Sequence, residues 1–349
     1  MKLNKFKEKI NNIIILTKMS KGFTNLGNTC YMNSALQCLC HLEELSYNNE
    51  ALITDCTRRS NDNDYNIMSE LMKLQKEMWK DNNKGVISTR GILMEFIKRC
   101  KKEKIYFESF NQNDCQDFLN NLIDFLHGSI KRKVKIIING EAKTNYDKLK
   151  VKSINQWKLF FEDNYSYIIK TFYSQLLSIT SCPKCDYYTT NHEPAMTITL
   201  TLENEYNSIY DCLDEFIKED VLDVENTWKC DKCGESVCPQ KKINFWDLSP
   251  IIIILIKQFR LNRKINKHID FPENLNMKKY CINSKKNSMD YKLKGICIHS
   301  GSLNGGHYYA MCYNYKTKKW NIHNDTSVEE TNLGNVLSQT PYCFFYSSI

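Results

Sequence analysis

Residues 22–42 read GFTNLGNTCYMNSALQCLCHL, and the character of the chain changes at Cys30. Up to Thr29 the segment is built of turn formers, with Gly22 and Gly27 set beside Asn25 and Asn28. From Cys30 onward, Leu36, Leu39 and Leu42 recur on one face, which predicts a helix over about 30–42. Cys30 therefore opens a helix, where unpaired N–H groups and the helix dipole favour a thiolate. The loop before it lets a substrate approach closely and offers amide donors to a developing oxyanion. A small, chemically idle buried cysteine fits the same position, so the chemistry needs partners.

Working outward, apolar residues return every three or four positions over 66–80, 88–100 and 114–127, predicting three more helices in a helical first part. The Lys-rich stretch 131–152 reads as an exposed loop. After about 165 the pattern changes to short runs of strand type, at 196–202, 251–256, 291–299, 307–315 and 344–346. Helices first and strands later indicate an α+β fold rather than alternating βαβ units.

Among seven histidines, His307 stands apart. It follows Gly305 and Gly306 and begins the alternating run HYYAMCYNY, where a glycine loop re-enters a strand. Positions 307 and 324 lie almost equally far from the polar turn at 315–318, so Asn324, or Asp325 beside it, is expected across from His307. An amide or carboxylate there would accept the Nδ1 proton and hold Nε2 toward the thiol. Cys30, His307 and Asn324 form a candidate triad.

The chain has 349 residues, 42% apolar and 25% charged. These are ordinary globular values that exclude collagen, largely disordered and multi-span membrane architectures. The run Ile251 to Ile256 is far below the roughly 20 residues that span a bilayer. Sixteen cysteines are the outlier. The opening MKLNKFKEKINNIIILTKM lacks a secretory h-region, so reduced thiols in the cytoplasm or nucleus are expected. The net charge of +8 is a mild bias for this length and a weak pointer to nucleic acid.

Four of the cysteines fall in two C-x-x-C pairs, Cys182 with Cys185 and Cys230 with Cys233. Each pair has the knuckle spacing of a Zn²⁺ ligand set, and together they supply the four sulfurs of one closed, structural site. The long separation requires strands to run out from one knuckle and return to the other. A redox role for either pair is the weaker reading.

At the Cys30 and His307 segments the sequence resembles the ubiquitin-specific protease family of cysteine peptidases, over about residues 20–349. Residues 22–34 look like the family's Cys box, and Gly305-Gly306-His307-Tyr308 like its His box. The resemblance implies that Cys30 is the nucleophile, His307 the general base, Asn324 the third residue and Asn25 the oxyanion-stabilising asparagine. Asp325 matches the acidic residue that follows the third member and, in some relatives, shares the orienting role. One departure is His323, where the family usually has an aromatic. Residues 111–119, NQNDCQDFL, are similar to the segment that helps bind the ubiquitin tail. Gln112, Asp114 and Asp117 are its candidate contacts, with Gly305, Gly306 and Tyr308 across the channel. Asp114 and Asp117, three apart on one helix face, suit the arginines of that tail.

The fold implied is a papain-like α+β peptidase with a basic extension over 1–19 and a catalytic domain over 20–349. Its parts are a helical thumb at about 20–165, zinc-binding β fingers at about 166–245 that grip ubiquitin's body, and a β-rich palm at about 246–349. The implied activity is hydrolysis after ubiquitin's C-terminal glycine, by a monomer that needs neither membrane nor nucleic acid. Three rivals remain: a catalytically silent ubiquitin-binding scaffold, a peptidase for another ubiquitin-like modifier, and a zinc-ribbon nucleic-acid binder.

Overall fold

A computed structural model of the chain describes residues 20–58, 63–80, 85–260, 263–283, 289–302 and 305–349. The basic extension at 1–19 and part of the loop before Gly305 lie outside the described residues. Two units divide the chain, one formed by 1–130, 258–268 and 293–346 and the other by 131–257, 269–292 and 347–349. Among the described residues no helix is long and apolar enough to cross a membrane.

In the first unit the expected helices form over Cys30–Cys40, Asn66–Trp79, Arg90–Glu103 and Cys115–Ile130. Every residue of the Cys30–Cys40 helix is buried, the mark of a central helix rather than a surface one. Beside it Phe96, Phe118 and Phe125 pack with ring centroids 4.7 and 5.3 Å apart. Tyr31 meets Phe118 edge-on at 5.7 Å. Each such ring contributes roughly 1.5–3 kcal/mol through burial. The unit's strands run in the order Ser327–Thr331, Lys319–Asn324, Gly305–Asn314, Asp290–Ser302, Pro341–Ser348. Gly295 permits close packing here, because a Cβ on it would sit 3.0 Å from Cys38 Sγ of the central helix. Trp320, at 5% exposure, is buried in the sheet.

The second unit holds a four-stranded sheet ordered Tyr188–Ala195, Ser174–Ser181, Gln240–Asp247, Asp220–Val221, and a parallel pair of Thr197–Thr201 with Ile251–Lys257. The parallel strand Ile251–Lys257 is buried over its first six residues, as a continuous apolar run demands. The stretch expected to be a loop at 131–152 is corrected in part. A helix spans Asn145–Phe161, started by a capping box in which Thr144 and Asp147 exchange side-chain and backbone bonds.

Candidate active site

Cys30 opens its helix behind the N-cap residue Thr29. Asn25 organises that entry. Its Oδ1 accepts from the amides of Gly27 and Thr29, both at 3.1 Å, and from the Thr29 hydroxyl at 3.3 Å. Gly27 at φ +103° and Asn28 at φ +53° supply the left-handed backbone that turns the loop into the helix. With its oxygen held, Asn25 presents Nδ2, which donates one hydrogen to Asp325 Oδ2 at 2.9 Å and keeps a second N–H. The Asn25 side chain is exposed.

Asp325 holds this arrangement from the far end of the chain. Its other oxygen accepts from Asn33 Nδ2 at 2.8 Å, and Asn33 Oδ1 accepts from the Thr89 hydroxyl at 3.3 Å. The left-handed turn at Asp325, φ +49°, is fixed in addition by its carbonyl, which accepts from the Phe23 amide at 2.7 Å. Asn33 was not singled out from the sequence. Its position three residues after Cys30, on the same helix face, was the available signal.

His307 Nε2 lies 2.6 Å from Asn324 Oδ1. An amide oxygen only accepts, so Nε2 carries the hydrogen and Nδ1 presents the lone pair. The ring is therefore reversed from the sequence expectation, which gave Nδ1 to the third residue and Nε2 to the thiol. The cause is the strand register. Ala310 pairs with His323, and one step further Asn324 falls opposite Tyr309, on the face that carries His307 but diagonal to it. A diagonal pair is farther apart than a directly opposed one, and the distal ring nitrogen spans the gap. The left-handed turn that follows the strand points the Asp325 carboxylate toward Asn25 and Asn33.

The Cys30 thiol is 4% exposed. Burial is the largest influence on it and raises its pKa above the ordinary value. The backbone amide of Tyr308 opposes that rise, the charge of Asp325 adds to it, and the amides of Tyr31 and Cys30 at the helix start oppose it. The helix start thus acts in the expected direction, but burial outweighs it, and the expected net lowering is not found.

Gln112 Nε2 donates to the Gly306 carbonyl at 3.3 Å. Gly306 admits no side chain, since a Cβ would lie 2.6 Å from the Ser300 carbonyl oxygen. Asp114 stands just ahead of the Cys115–Ile130 helix rather than on its face, because it caps the first turn. Its Oδ1 accepts from the amides of Gln116 at 2.6 Å and Asp117 at 3.4 Å. Its Oδ2 accepts from the phenols of Tyr342 at 2.8 Å and Tyr308 at 3.4 Å. Asp117 lies at the surface, its pKa raised by partial burial and by the nearby charge of Asp114. Tyr342 was missed in the sequence because its phenol meets Asp114 across 228 residues.

In the second unit, Cys182, Cys185, Cys230 and Cys233 bring their sulfurs within 4.8 Å of one another and could hold a metal ion. The Cys182–Cys233 and Cys185–Cys230 sulfurs are 3.9 and 3.6 Å apart. Those values bracket the edge of about 3.8 Å in a tetrahedron with metal–sulfur bonds of about 2.3 Å. The knuckles close with Cys182 N bonded to the Tyr187 carbonyl and Cys230 N to the Glu235 carbonyl, both at 2.9 Å. The donor set and its spacing therefore fit a tetrathiolate site.

Residues 21–346 match the family model for ubiquitin carboxyl-terminal hydrolase. The chain is 30% identical over 337 residues to Ubiquitin carboxyl-terminal hydrolase 2 of Bos taurus, covering 93% of this chain and 54% of that protein. It is 31% identical over 335 residues to Usp2 of Drosophila melanogaster, covering 93% and 34%. With Ubiquitin carboxyl-terminal hydrolase 2 of Gallus gallus it shares 31% identity over 339 residues, covering 93% and 92%. The chain thus spans about half of the bovine relative and about a third of the Drosophila one. Among solved structures, the SAGA DUB module of Ubp8, Sgf11, Sus1 and Sgf73 bound to monoubiquitin superposes with TM-score 0.73 at 24% identity, covering 96% of this chain and 70% of that one. The same module bound to ubiquitin aldehyde gives 0.71 at 24% identity, covering 95% and 70%. At that identity the likeness establishes the α+β peptidase fold.

Proposed function

The chain belongs to the ubiquitin carboxyl-terminal hydrolase family, and from that premise we propose that it is a thiol-dependent deubiquitinase cutting the peptide or isopeptide bond after ubiquitin's C-terminal glycine. The observation that carries this reading is the arrangement around Cys30. Cys30 opens its helix behind a loop in which Asn25 is fixed by Asp325 with one N–H to spare, and His307 is paired with Asn324.

In this mechanism His307 Nδ1 takes the Cys30 proton as the sulfur attacks the glycyl carbonyl, and gives that proton to the leaving amine. Asn324 keeps the ring in the tautomer with hydrogen on Nε2 and supports the imidazolium. The spare Asn25 N–H and the amide at the helix start receive the oxyanion. His307 Nδ1 then activates the water that releases the acyl group. A Gly-Gly tail would run past Gly305 and Gly306, with Gln112 and Tyr308 along it, Asp117 set for the tail's arginines, and Asp114 adding its charge from the helix cap where Tyr308 and Tyr342 hold it.

Four thiolates at Cys182, Cys185, Cys230 and Cys233 would hold one structural Zn²⁺ and brace fingers that grip ubiquitin's body. Free thiols throughout the described residues fit a reducing compartment, cytoplasm or nucleus, and the protein acts as a monomer on ubiquitin and ubiquitinated proteins.

A ubiquitin probe with a C-terminal electrophile tests the reading. The wild type forms a covalent adduct and Cys30→Ala forms none. Binding of ubiquitin without an adduct in the wild type would make the protein a scaffold. An adduct only with another modifier's probe would move the substrate class. Salt-dependent DNA or RNA binding that is indifferent to Cys30→Ala would favour the nucleic-acid reading.

A further inference from the structure

A second group of metal-ligating side chains lies inside the first unit, independent of the peptidase reading. His41 is the C-cap of the Cys30 helix and is completely buried. Its Nδ1 is 2.7 Å from the Gln37 carbonyl oxygen, so Nδ1 carries the hydrogen and Nε2 presents a lone pair. That Nε2 is buried without a partner. The imidazole of His323, 1% exposed, lies beside it with ring centroids 4.8 Å apart. His323 Nε2 is 3.4 Å from the Ser20 hydroxyl, and its Nδ1 is the second buried nitrogen without a partner. Cys312, with no exposed surface, completes the group, and one donor atom from each of the three lies within 4.8 Å of the others.

The register explains the convergence. Ala310 pairs with His323 and Cys312 with Asn321, so Cys312 and His323 are diagonal neighbours on one sheet face. Burial keeps the imidazoles neutral, holding His41 down at about 4 and His323 well below its ordinary value. Neutral imidazole is the form that ligates. A ring nitrogen donating to a backbone carbonyl while the other faces inward is the outer-shell arrangement that orients metal-bound histidines. Native interiors rarely leave two such nitrogens uncompensated.

We propose that His41, His323 and Cys312 form a buried trigonal site for a soft monovalent cation, Cu(I). Three donors, one of them sulfur, suit that ion. Cys312 gives up its proton on binding, and one thiolate with Cu(I) leaves the interior neutral, whereas Zn²⁺ would leave a net charge and lack a fourth ligand. Bonds of about 2.0–2.3 Å place donors roughly 3.5–4 Å apart, so any pair near the present limit of 4.8 Å draws in on binding. The site would tie the end of the Cys30 helix to the residue preceding Asn324.

The test uses the full chain, with the four-cysteine site first loaded with zinc, titrated anaerobically with Cu(I) against bicinchoninate. The expected result is one Cu(I) per chain with a two-nitrogen, one-sulfur shell in X-ray absorption and no zinc released. His323→Phe and Cys312→Ala, each retaining zinc, are each expected to lose that equivalent. An all-sulfur shell with zinc displaced, undiminished Cu(I) binding in either variant, or no tight equivalent in the wild type would overturn the site. Uptake of a second Zn²⁺ in place of Cu(I) would overturn the choice of ion.

Discussion

The surroundings of Cys30 and the four-cysteine cluster are built in opposite ways. Around Cys30, groups from three distant stretches of chain are locked by one another. Asn25 binds Asp325, Asp325 binds Asn33, and Asn33 binds Thr89. Around the cluster the ligands come in two local knuckles, and the buried core beneath them consists of Cys182, Cys230 and Val237, with Cys185, Tyr187 and Trp228 packed against it. A core of three buried residues contributes little toward holding two knuckles together, so a metal at the four sulfurs would add most there. The first region fixes its geometry with protein hydrogen bonds, and the second gathers four sulfurs that could hold a metal ion.

The comparison breaks most sharply if His307→Ala, expected to lower kcat/KM on a ubiquitin substrate by about 10³–10⁴-fold with little change in Tm, instead leaves turnover intact. Next comes Asp325→Asn, which replaces one of two accepting oxygens with an N–H that cannot accept and removes an anion near the thiol. Turnover is expected to fall about 10²-fold. The pH profile supplies a second reading of the same variant. The Cys30 pKa is raised, so the thiolate is scarce at neutral pH and probe labelling rises as pH rises toward that pKa. Asp325 contributes to the raising, so the rising limb moves to lower pH in Asp325→Asn. An unmoved limb would show that the carboxylate acts only through its hydrogen bonds to Asn25 and Asn33.

A smaller effect is expected at the cluster. Cys230→Ser, or chelation, is expected to lower Tm by roughly 5 °C and raise KM for ubiquitin, while a short peptide of the ubiquitin tail is cut at the original rate. Equal losses on both substrates would erase the contrast between the regions. The smallest effect is Thr144→Ala at the capping box of the Asn145–Phe161 helix, about 1 kcal/mol in denaturant unfolding with no kinetic change.

Legibility followed the strength of each local signal. The helices at Asn66–Trp79, Arg90–Glu103 and Cys115–Ile130 bury an apolar stripe, and the stripe shows as periodicity. The Asn145–Phe161 helix fully buries only Ser153 and Phe161, its stripe of Val151, Ile154, Trp157 and Phe161 is confined to the later turns, and the Thr144–Asp147 cap was the signal for its start. Strands Ser174–Ser181 and Tyr188–Ala195 were missed because most of their residues are polar and only partly buried. The glycine loop before His307 pointed to that histidine, but which ring nitrogen meets Asn324 depends on a diagonal offset that equal distance from a turn does not define. Asp325 could not be matched to Asn25 at all, since 300 residues separate them.

Asn324 and Ser327 are paired, leaving only Asp325 and Thr326 to connect their strands. Adjacent residues here serve different partners, Asn324 the imidazole and Asp325 the asparagines, because the strand ends at Asn324 and Asp325 enters a left-handed turn. This hairpin therefore behaves as a reading frame. Exchanges of residue type along it change one partner at a time, whereas adding or deleting a single residue between Asn314 and Asn324 slips the register and turns Asn324 to the opposite face from His307. Length, more than composition, is what the segment has to keep.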